Sequence, residues 1–169
     1  MPVNFDPLYG TNTAITITLT SLANSTSLST GYRQSAFVDN ATNRFADVYI
    51  YGHVKSGGTP TVNNIYSLYF YFSNDGGTTY CNNASGADAA YTQPDSDANM
   101  ITPATSIATA TASLVSYFRG ISFCQAAGLL YLPQRWGIIF KNASGQALTA
   151  VAADHKFSYQ GVNIQGVGV

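Results

Sequence analysis

The sequence has no glutamate and few charged residues of either sign. Charged residues make up 9% of its 169 residues, and all eight acidic residues are aspartates. Ordinary soluble domains carry about 25% charged residues. Long helices depend on Glu, Lys and Arg for helix propensity and for charge pairs on their solvent face. The composition therefore disfavours a helical fold and leaves the surface to Ser, Thr, Asn, Gly and Tyr.

Positive charge is not clustered anywhere in the sequence. The net charge is −1, and the seven basic residues stand singly, at Arg33, Arg44, Lys55, Arg119, Arg135, Lys141 and Lys156. A nucleic-acid backbone or an anionic membrane surface is recognised by clustered positive charge. We therefore expect neither nucleic acid nor membrane as a partner.

Long apolar runs and paired cysteine motifs are also missing. There is no apolar run of about 18 residues, and the opening MPVNFDPLYG lacks the basic and apolar regions of a signal peptide. Cys81 and Cys124 lie far apart and fit no CxxC or Cys/His spacing. We expect a chain made and folded in the cytoplasm, with two free thiols. A disulfide between the two cysteines is the alternative.

What the chain has instead is apolar and aromatic residues, at 46% and 13% of its length. This content is above that of a disordered tail, and the length suits one domain. We predict a single domain over residues 13–169, preceded by an N-terminal arm at residues 1–12. Phe5, Leu8 and Tyr9 lie in this Pro-flanked arm, so we expect it to dock on a neighbouring subunit. The alternative is that the arm folds back over its own domain.

Strict alternation of apolar and polar residues marks the first strands. It appears in AITITLTS at 14–21, in ADVYIYGHVK at 46–55 and in IYSLYFYFS at 65–73, and such a period of two is typical of half-buried strands. A Gly/Pro/Asn-rich turn separates the second and third segments, so we predict that they pair antiparallel. The tyrosines would then lie together on the outer face of this pair: Tyr49, Tyr51, Tyr69 and Tyr71.

The second half of the chain contains a long polar segment and further strands. Residues 81–103 have few large apolar side chains, which predicts a long surface excursion. WGIIFK at 136–141 points Trp136, Ile138 and Phe140 inward, and a loop and a strand at 146–153 follow. A last strand at 155–165 carries a predicted bulge at Gly161. About eight strands predict an all-β antiparallel β-sandwich, most simply a jelly roll, with a barrel as the alternative.

No motif with a known chemical mechanism occurs in the sequence. His53 and His155 are the two candidate bases, and we interpret both as surface histidines. Four loop aspartates could gather round a calcium ion, with the last two as the best local candidate: Asp75, Asp88, Asp95 and Asp97. Carboxylates that hydrogen-bond to turn backbone explain them more simply. We therefore predict no catalytic residue, no cofactor and no metal site, and a protein that is not an enzyme.

Tyrosine-rich strands suit two kinds of partner. Tyr supplies large, rigid contact area at a subunit interface, and it can also stack on sugars. We favour the protein interface over the sugar site. The candidate partner-binding residues are the apolar residues of the arm and the strand tyrosines: Phe5, Leu8, Tyr9, Tyr49, Tyr51, Tyr69 and Tyr71.

Most of the chain resembles small bacteriophage virion proteins encoded near capsid genes. The resemblance is carried, in order, by TLTSLANSTSLSTGYRQSAFVDNAT, DVYIYGHVKSG, YFSNDGGTTYCNNASGADAAYT and LPQRWGIIFKNASGQAL. It implies a head decoration or cement protein with a jelly-roll fold and no catalytic residues. Such a protein binds the outer capsid surface and stabilises contacts between major capsid subunits.

The resemblance sets the expected partners and location. We expect the major capsid protein as partner, self-association as a dimer or trimer, and assembly in the host cytoplasm onto the outer surface of the virion. The alternative is a carbohydrate- or receptor-binding module of a tail or head fibre, and a third possibility is a tail-tube or baseplate protein. A cement protein stabilises capsids against heat and does not bind glycans. A receptor binder binds glycans or cells and leaves capsid stability unchanged.

Overall fold

Two antiparallel sheets packed against each other form the fold. The computed structural model describes residues 4–94, 103–108 and 115–167, and their side chains within 6–94 and 115–164. In chain order the strands are β1 (Asn4–Ala14), β2 (Tyr32–Gln34), β3 (Val38–Asp39), β4 (Asp47–Lys55), β5 (Ile65–Ser73), β6 (Ala89–Ala90), β7 (Pro103–Ala108), β8 (Val115–Ser122), β9 (Arg135–Ala143) and β10 (Lys156–Val167). A short helix α1 (Phe123–Ala127) and two 3₁₀ turns, Cys81–Asn83 and Ala152–Asp154, complete the described elements.

The strands divide unevenly between the two sheets. The four-stranded sheet has the order β1-β10-β4-β8, and the six-stranded sheet has the order β6-β2-β9-β5-β7 with β3 also paired to β9. The predicted all-β antiparallel sandwich is therefore confirmed.

None of the helices within the described residues has the length and apolar character that crossing a membrane requires.

The predicted pairing of β4 with β5 is wrong. Both strands lie where the alternation placed them, but β4 pairs with β10 and β8, whereas β5 pairs with β9 and β7. The connection at residues 56–64 is much longer than a two-residue hairpin turn, so it can carry the chain from one sheet to the other. Alternation reports which residues are buried and carries no information about which strand is the neighbour.

The start of the chain also differs from the prediction. Residues 4–14, most of which were assigned to the arm, form β1 at the edge of the four-stranded sheet, paired with β10. Of residues 14–21, predicted as the first strand, only Ala14 lies in a strand, although Ile15 and Leu19 are buried as the alternation requires. The Ile15 amide donates to Phe157 in one sheet, and the Thr16 carbonyl accepts from Ala36 beside the other. This segment thus crosses between the sheets.

The bulge predicted at Gly161 lies in the strand opposite. The register of β1 against β10 shifts between Tyr9 and Asn12, so the extra residue belongs to β1. A side chain on Gly161 would overlap the ring of Phe45, and one on Gly10 would come within 2.9 Å of the same ring. Both glycines therefore make room for Phe45, which packs over the two strands.

The strand predicted at 146–153 is reduced to one isolated bridge, between Ser56 and Leu148.

An aromatic core fills the space between the sheets. Trp136, Ile138 and Phe140 of β9 are fully buried there, as predicted. The rings of Phe70 and Phe123 stack at 4.4 Å between centroids. These contacts bury the apolar face of each sheet, which is the main driving force for a sandwich fold.

A second, smaller core lies on the other side of the six-stranded sheet. Residues 80–93 fold over that side and bury Tyr32, Tyr69, Tyr71 and Tyr91 with Ile139. Residues 81–94 of the predicted surface excursion thus cover a sheet, while Asp95 and Asp97 lie outside the described residues.

The predicted free thiols are confirmed, with Cys81 half-buried and Cys124 buried.

Candidate interaction surface

The outer side of the four-stranded sheet is an exposed, tyrosine-rich face. Val48, Ile50 and Val54 of β4 point into the core, so the alternating residues Tyr49 and Tyr51 point outward. Tyr117 of β8 lies beside them, because it pairs with His53 of β4. Tyr51 is 37% exposed and Tyr117 is 54% exposed. We call the surface formed by Tyr49, Tyr51 and Tyr117 the open face.

A bulge in β8 shapes the open face. Arg119 and Gly120 lie opposite Tyr51, where the register between β4 and β8 shifts. Gly120 has φ 58°, in the left-handed region that favours glycine. The ring of Tyr117 lies near two polar side chains: the His53 ring, at 5.9 Å between centroids, and the Arg119 guanidinium, at 5.8 Å. The face therefore presents aromatic area with polar groups beside it.

The structure separates the tyrosines that the sequence grouped together. Tyr49 and Tyr51 lie on the open face as expected, whereas Tyr69 and Tyr71 lie in the other sheet and are buried. The Tyr71 hydroxyl donates to the Ser35 carbonyl at 2.7 Å. Burial raises the pKa of Tyr71, and the hydrogen bond to Ser35 opposes that rise. Tyr69 and Tyr71 point away from the main core, as the alternation predicted, but residues 80–93 cover that side of the sheet, so neither side chain is exposed.

The two strands β1 and β10 continue past the rest of their sheet. The last β10–β4 pair is Val162 with Asp47, whereas the β1–β10 pairs run on to Asn4 with Val167. Residues 4–8 and 163–167 thus form a two-stranded extension, which we call the ribbon. Phe5 lies in it opposite Gly166.

Large apolar side chains are exposed on the ribbon and at its base. Leu8 is 54% exposed, Tyr9 is 55% exposed and Ile164 is 67% exposed. By strand alternation, Tyr9 and Ile164 lie on the same side as the open face, and Leu8 lies on the opposite side. These exposed apolar side chains make the ribbon a candidate contact surface.

A groove of about 570 Å³ lies at the base of the ribbon. Its walls come from two loops that hydrogen bonds hold in place. The side-chain amide of Asn40 donates to the Phe45 carbonyl at 3.0 Å and accepts from the Phe45 amide at 2.8 Å. The Leu132 amide donates to the Ala46 carbonyl at 2.9 Å and ties the second loop to the first. The residues that line the groove include Asn40, Arg44, Phe45, Tyr131, Leu132 and Gln134.

Our sequence analysis did not predict this groove, although the chain contains one signal of it. Leu130 is 81% exposed and Tyr131 is 70% exposed, directly after α1. These residues belong to GLLYLP at 128–133, an apolar run between a glycine and a proline in a chain whose other loops are polar. An apolar loop of this kind predicts either a buried segment or a contact site.

One cluster brings a hydroxyl, an imidazole and a carboxylate together. His155 Nε2 lies 3.1 Å from Thr149 Oγ1 and 3.0 Å from the Thr149 carbonyl oxygen. Asp154 accepts from the Thr149 hydroxyl at 3.0 Å and lies 3.4 Å from Lys55 Nζ. The hydrogen bond from Thr149 holds the pKa of Asp154 below its ordinary value, with Lys55 adding to the effect.

This arrangement is unlike a nucleophilic triad. In a triad the carboxylate orients the imidazole, whereas the carboxylate of Asp154 binds the hydroxyl of Thr149 and the His155 Nδ1 faces the Lys55 amide at 3.5 Å. The cluster ties the loop before β10 to β4.

No group of three His, Cys, Asp or Glu side chains within the described part of the chain could hold a metal ion.

Comparisons with known proteins identify no relative. No protein-family model matches the chain. No curated protein matches it, and no solved structure matches it. Function is therefore inferred from the residues and their geometry.

Proposed function

We propose that this chain is a non-enzymatic structural protein of a bacteriophage virion. In this proposal it is a decoration or cement protein that binds the outer surface of the head and stabilises contacts between major capsid subunits. The observation that carries the proposal is the open face, where Tyr51 and Tyr117 are exposed and Tyr49 is partly exposed, while the outer side of the six-stranded sheet is covered by residues 80–93. Tyrosine is enriched at protein interfaces because it buries large area at low entropic cost.

The strand order supports this proposal. Four strands of each sheet follow the orders β1-β10-β4-β8 and β2-β9-β5-β7, and the chain passes repeatedly from one sheet to the other. We infer a jelly roll, the eight-stranded double sheet that occurs in viral capsid and lectin domains. A chain with 9% charged residues also suits a protein that adheres to other subunits through neutral polar and aromatic groups.

Binding to bare capsids tests the proposal. We expect the purified protein to bind undecorated capsids of its phage in a fixed ratio and to raise the temperature at which the particles break. Replacing Tyr51 and Tyr117 together by Ser lowers the affinity at least about tenfold, because buried aromatic side chains dominate interface energies. Val62→Ser is the control, since Val62 is as exposed as Tyr117, at 54%, but lies in the loop after β4. Equal binding by the tyrosine variant and the control would contradict the role of the open face.

A second candidate function is a carbohydrate- or receptor-binding module on a fibre or tail. The observation that favours it is the exposed ring of Tyr117 beside His53 and Arg119, because a sugar that stacks on the ring would find polar groups next to it. Glycan binding that is lost in Tyr117→Ser, together with no effect on capsid stability, would favour this function over the first.

A further inference from the structure

The ribbon and the groove lie at the same end of the molecule. The Ala46 amide, in the groove wall, donates to the carbonyl of Val162 at 2.8 Å. The side-chain amide of Asn163 reaches the Asn43 carbonyl at 3.5 Å. The ring of Phe45 packs over Gly161 at the same point. These contacts fix the ribbon relative to the groove.

One side of the ribbon presents an acidic and an apolar group. Asp6 and Leu8 are two residues apart in β1, so their side chains lie on the same side, about 7 Å apart along the strand. Both are exposed, and Leu8 is not part of the groove of its own chain. Within the described residues Asp6 has neither an ion pair nor a side-chain hydrogen bond. The chain thus leaves a carboxylate and a large apolar side chain uncovered side by side.

The groove presents the matching groups. Arg44 is exposed, and its guanidinium makes one long hydrogen bond, from Nε to the Ala41 carbonyl at 3.4 Å, with no ion pair inside the described part of the chain. Its φ of 50° is rare for a residue with a side chain. The Asn40 carbonyl, which accepts from the Arg44 amide at 2.8 Å, holds the turn. Phe45 and Tyr131 line the groove beside this cation.

We propose that two copies of this chain form a two-fold dimer, with the ribbon of each copy lying in the groove of the other. Leu8 of one copy packs against Phe45 and Tyr131 of the other. Asp6 pairs with Arg44 across the same contact. A two-fold axis makes both contacts twice, because each copy gives a ribbon and receives one.

A second copy fits this surface better than an unrelated protein. The ribbon carries one charged side chain, Asp6, and the groove carries one of the opposite sign, Arg44, in a chain that has seven basic and eight acidic residues in total. Hydrogen bonds from Asn40 and Leu132 hold the groove walls in place before binding, so little ordering is lost on association. The dimer does not depend on capsid binding and is measured without capsids.

Analytical ultracentrifugation of the full chain over a range of concentrations tests the dimer. We expect the wild-type chain to sediment at twice the 17.9 kDa mass of one chain. Asp6→Arg and Arg44→Asp each raise the dissociation constant at least about tenfold, because each places like charges across both copies of the contact. Arg119→Asp is the control, since it reverses the charge of an exposed arginine outside the groove and leaves the dimer unchanged. Circular dichroism and thermal unfolding establish that the variants are folded.

Mixing the two reversed chains gives the sharpest result. In an equal mixture of D6R and R44D, both charge contacts of the mixed dimer join opposite charges again. We expect the mixture to associate as tightly as the wild-type chain, to within about threefold. The double variant, carrying both reversals on one chain, regains the dimer for the same reason.

The apolar half of the contact has its own matched pair of variants. Leu8→Ser weakens the dimer at least about tenfold, whereas Val62→Ser leaves it unchanged, although both side chains are 54% exposed. A wild-type chain that is monomeric up to millimolar concentration overturns the proposal. So does a dimer that is insensitive to either charge reversal, or one that the mixture fails to restore.

Discussion

Asp88 joins three parts of the chain through one carboxylate. It accepts from Arg33 Nε at 2.7 Å and from the Thr18 hydroxyl at 2.6 Å, so it links the crossing segment, β2 and the covering loop. Burial by itself would raise the pKa of Asp88, but the hydrogen bonds from Arg33 and Thr18 outweigh that effect and hold the pKa below its ordinary value. The charged form is therefore favoured in the folded state.

This carboxylate makes stability depend on pH in a defined direction. A lowered folded pKa contributes stability that is fully present above the unfolded pKa, near 4, and is lost as pH falls through the folded pKa. We expect Asp88→Asn to lower the free energy of unfolding by about 2 kcal/mol at pH 7. The difference from wild type should shrink as pH falls below about 4, because the wild-type carboxylate then becomes protonated. Urea unfolding between neutral and strongly acid pH measures it.

Asp39 provides the control for this prediction. Its carboxylate lies 3.5 Å from Arg135 Nε and is 43% exposed, against 17% for Asp88. Exposed ion pairs contribute little, so Asp39→Asn should lower the free energy of unfolding by less than about 1 kcal/mol. A difference between wild type and Asp88→Asn that stays constant down to the lowest pH would contradict the role given to the charged carboxylate.

Among the elements, β9 is held to its surroundings by a buried amide. Asn142 is fully buried, and its Nδ2 donates to the carbonyls of Leu22 and Gln146 at 3.0 and 2.8 Å. Its Oδ1 accepts from the Ser144 hydroxyl at 2.7 Å. One side chain therefore fixes the loop after β9 and the segment that approaches it from residues 22–23.

Removing this amide leaves several buried groups without partners. We expect Asn142→Ala to lower the free energy of unfolding by about 3 kcal/mol, since each buried carbonyl left unpaired costs about 1–3 kcal/mol. Asn74→Ala is the control, because Asn74 is exposed, and it should change stability by less than about 0.5 kcal/mol. Chemical denaturation measures both. Similar losses in the two variants would show that the amide network adds nothing specific.

Sequence patterns predicted the positions of several strands and did not predict how the strands pair. The alternation in residues 46–55, 65–73 and 136–141 predicted β4, β5 and β9 nearly at their bounds, because side-chain direction in a strand is a local property. The same alternation in residues 14–21 marked a segment that leaves the ladder after Ala14 and runs between the sheets. Pairing depends on residues far away in the chain, so the neighbours of β4 and β5 could not be predicted.

For the candidate surfaces, too, the sequence predicted the direction of individual side chains and not which distant segments meet. Tyr49 and Tyr51 were correctly expected on an outer face, because their neighbours in β4 are apolar and point inward. Nothing local to Tyr69 and Tyr71 shows that a loop folds over them. Tyr117 joins the open face, and Arg44 meets Tyr131 in the groove, only because the fold brings distant segments together.

At the scale of the whole molecule, the shortage of charge shapes how it binds. With 9% charged residues and an aromatic open face, the proposed attachment to capsids rests on apolar and neutral polar contacts. Screening by salt weakens contacts between exposed charges and leaves apolar contacts largely intact. We expect the capsid affinity to change by less than about threefold between about 0.05 M and about 0.5 M salt. Binding measured by co-sedimentation that falls steeply with salt would instead indicate an electrostatic contact.

The order of strands in the sheets also determines when the chain can fold. β10 lies between β1 and β4, and β9 lies between β2 and β5, so the central strands of both sheets come last in the sequence. During synthesis the earlier strands leave the ribosome with unpaired edges, and neither sheet can close until these two strands have been made. Most contacts therefore join distant parts of the sequence, which makes folding slow and leaves the growing chain open to aggregation. A protein that must be made in many copies would then depend on chaperones, or on a slow rate of synthesis, for its yield.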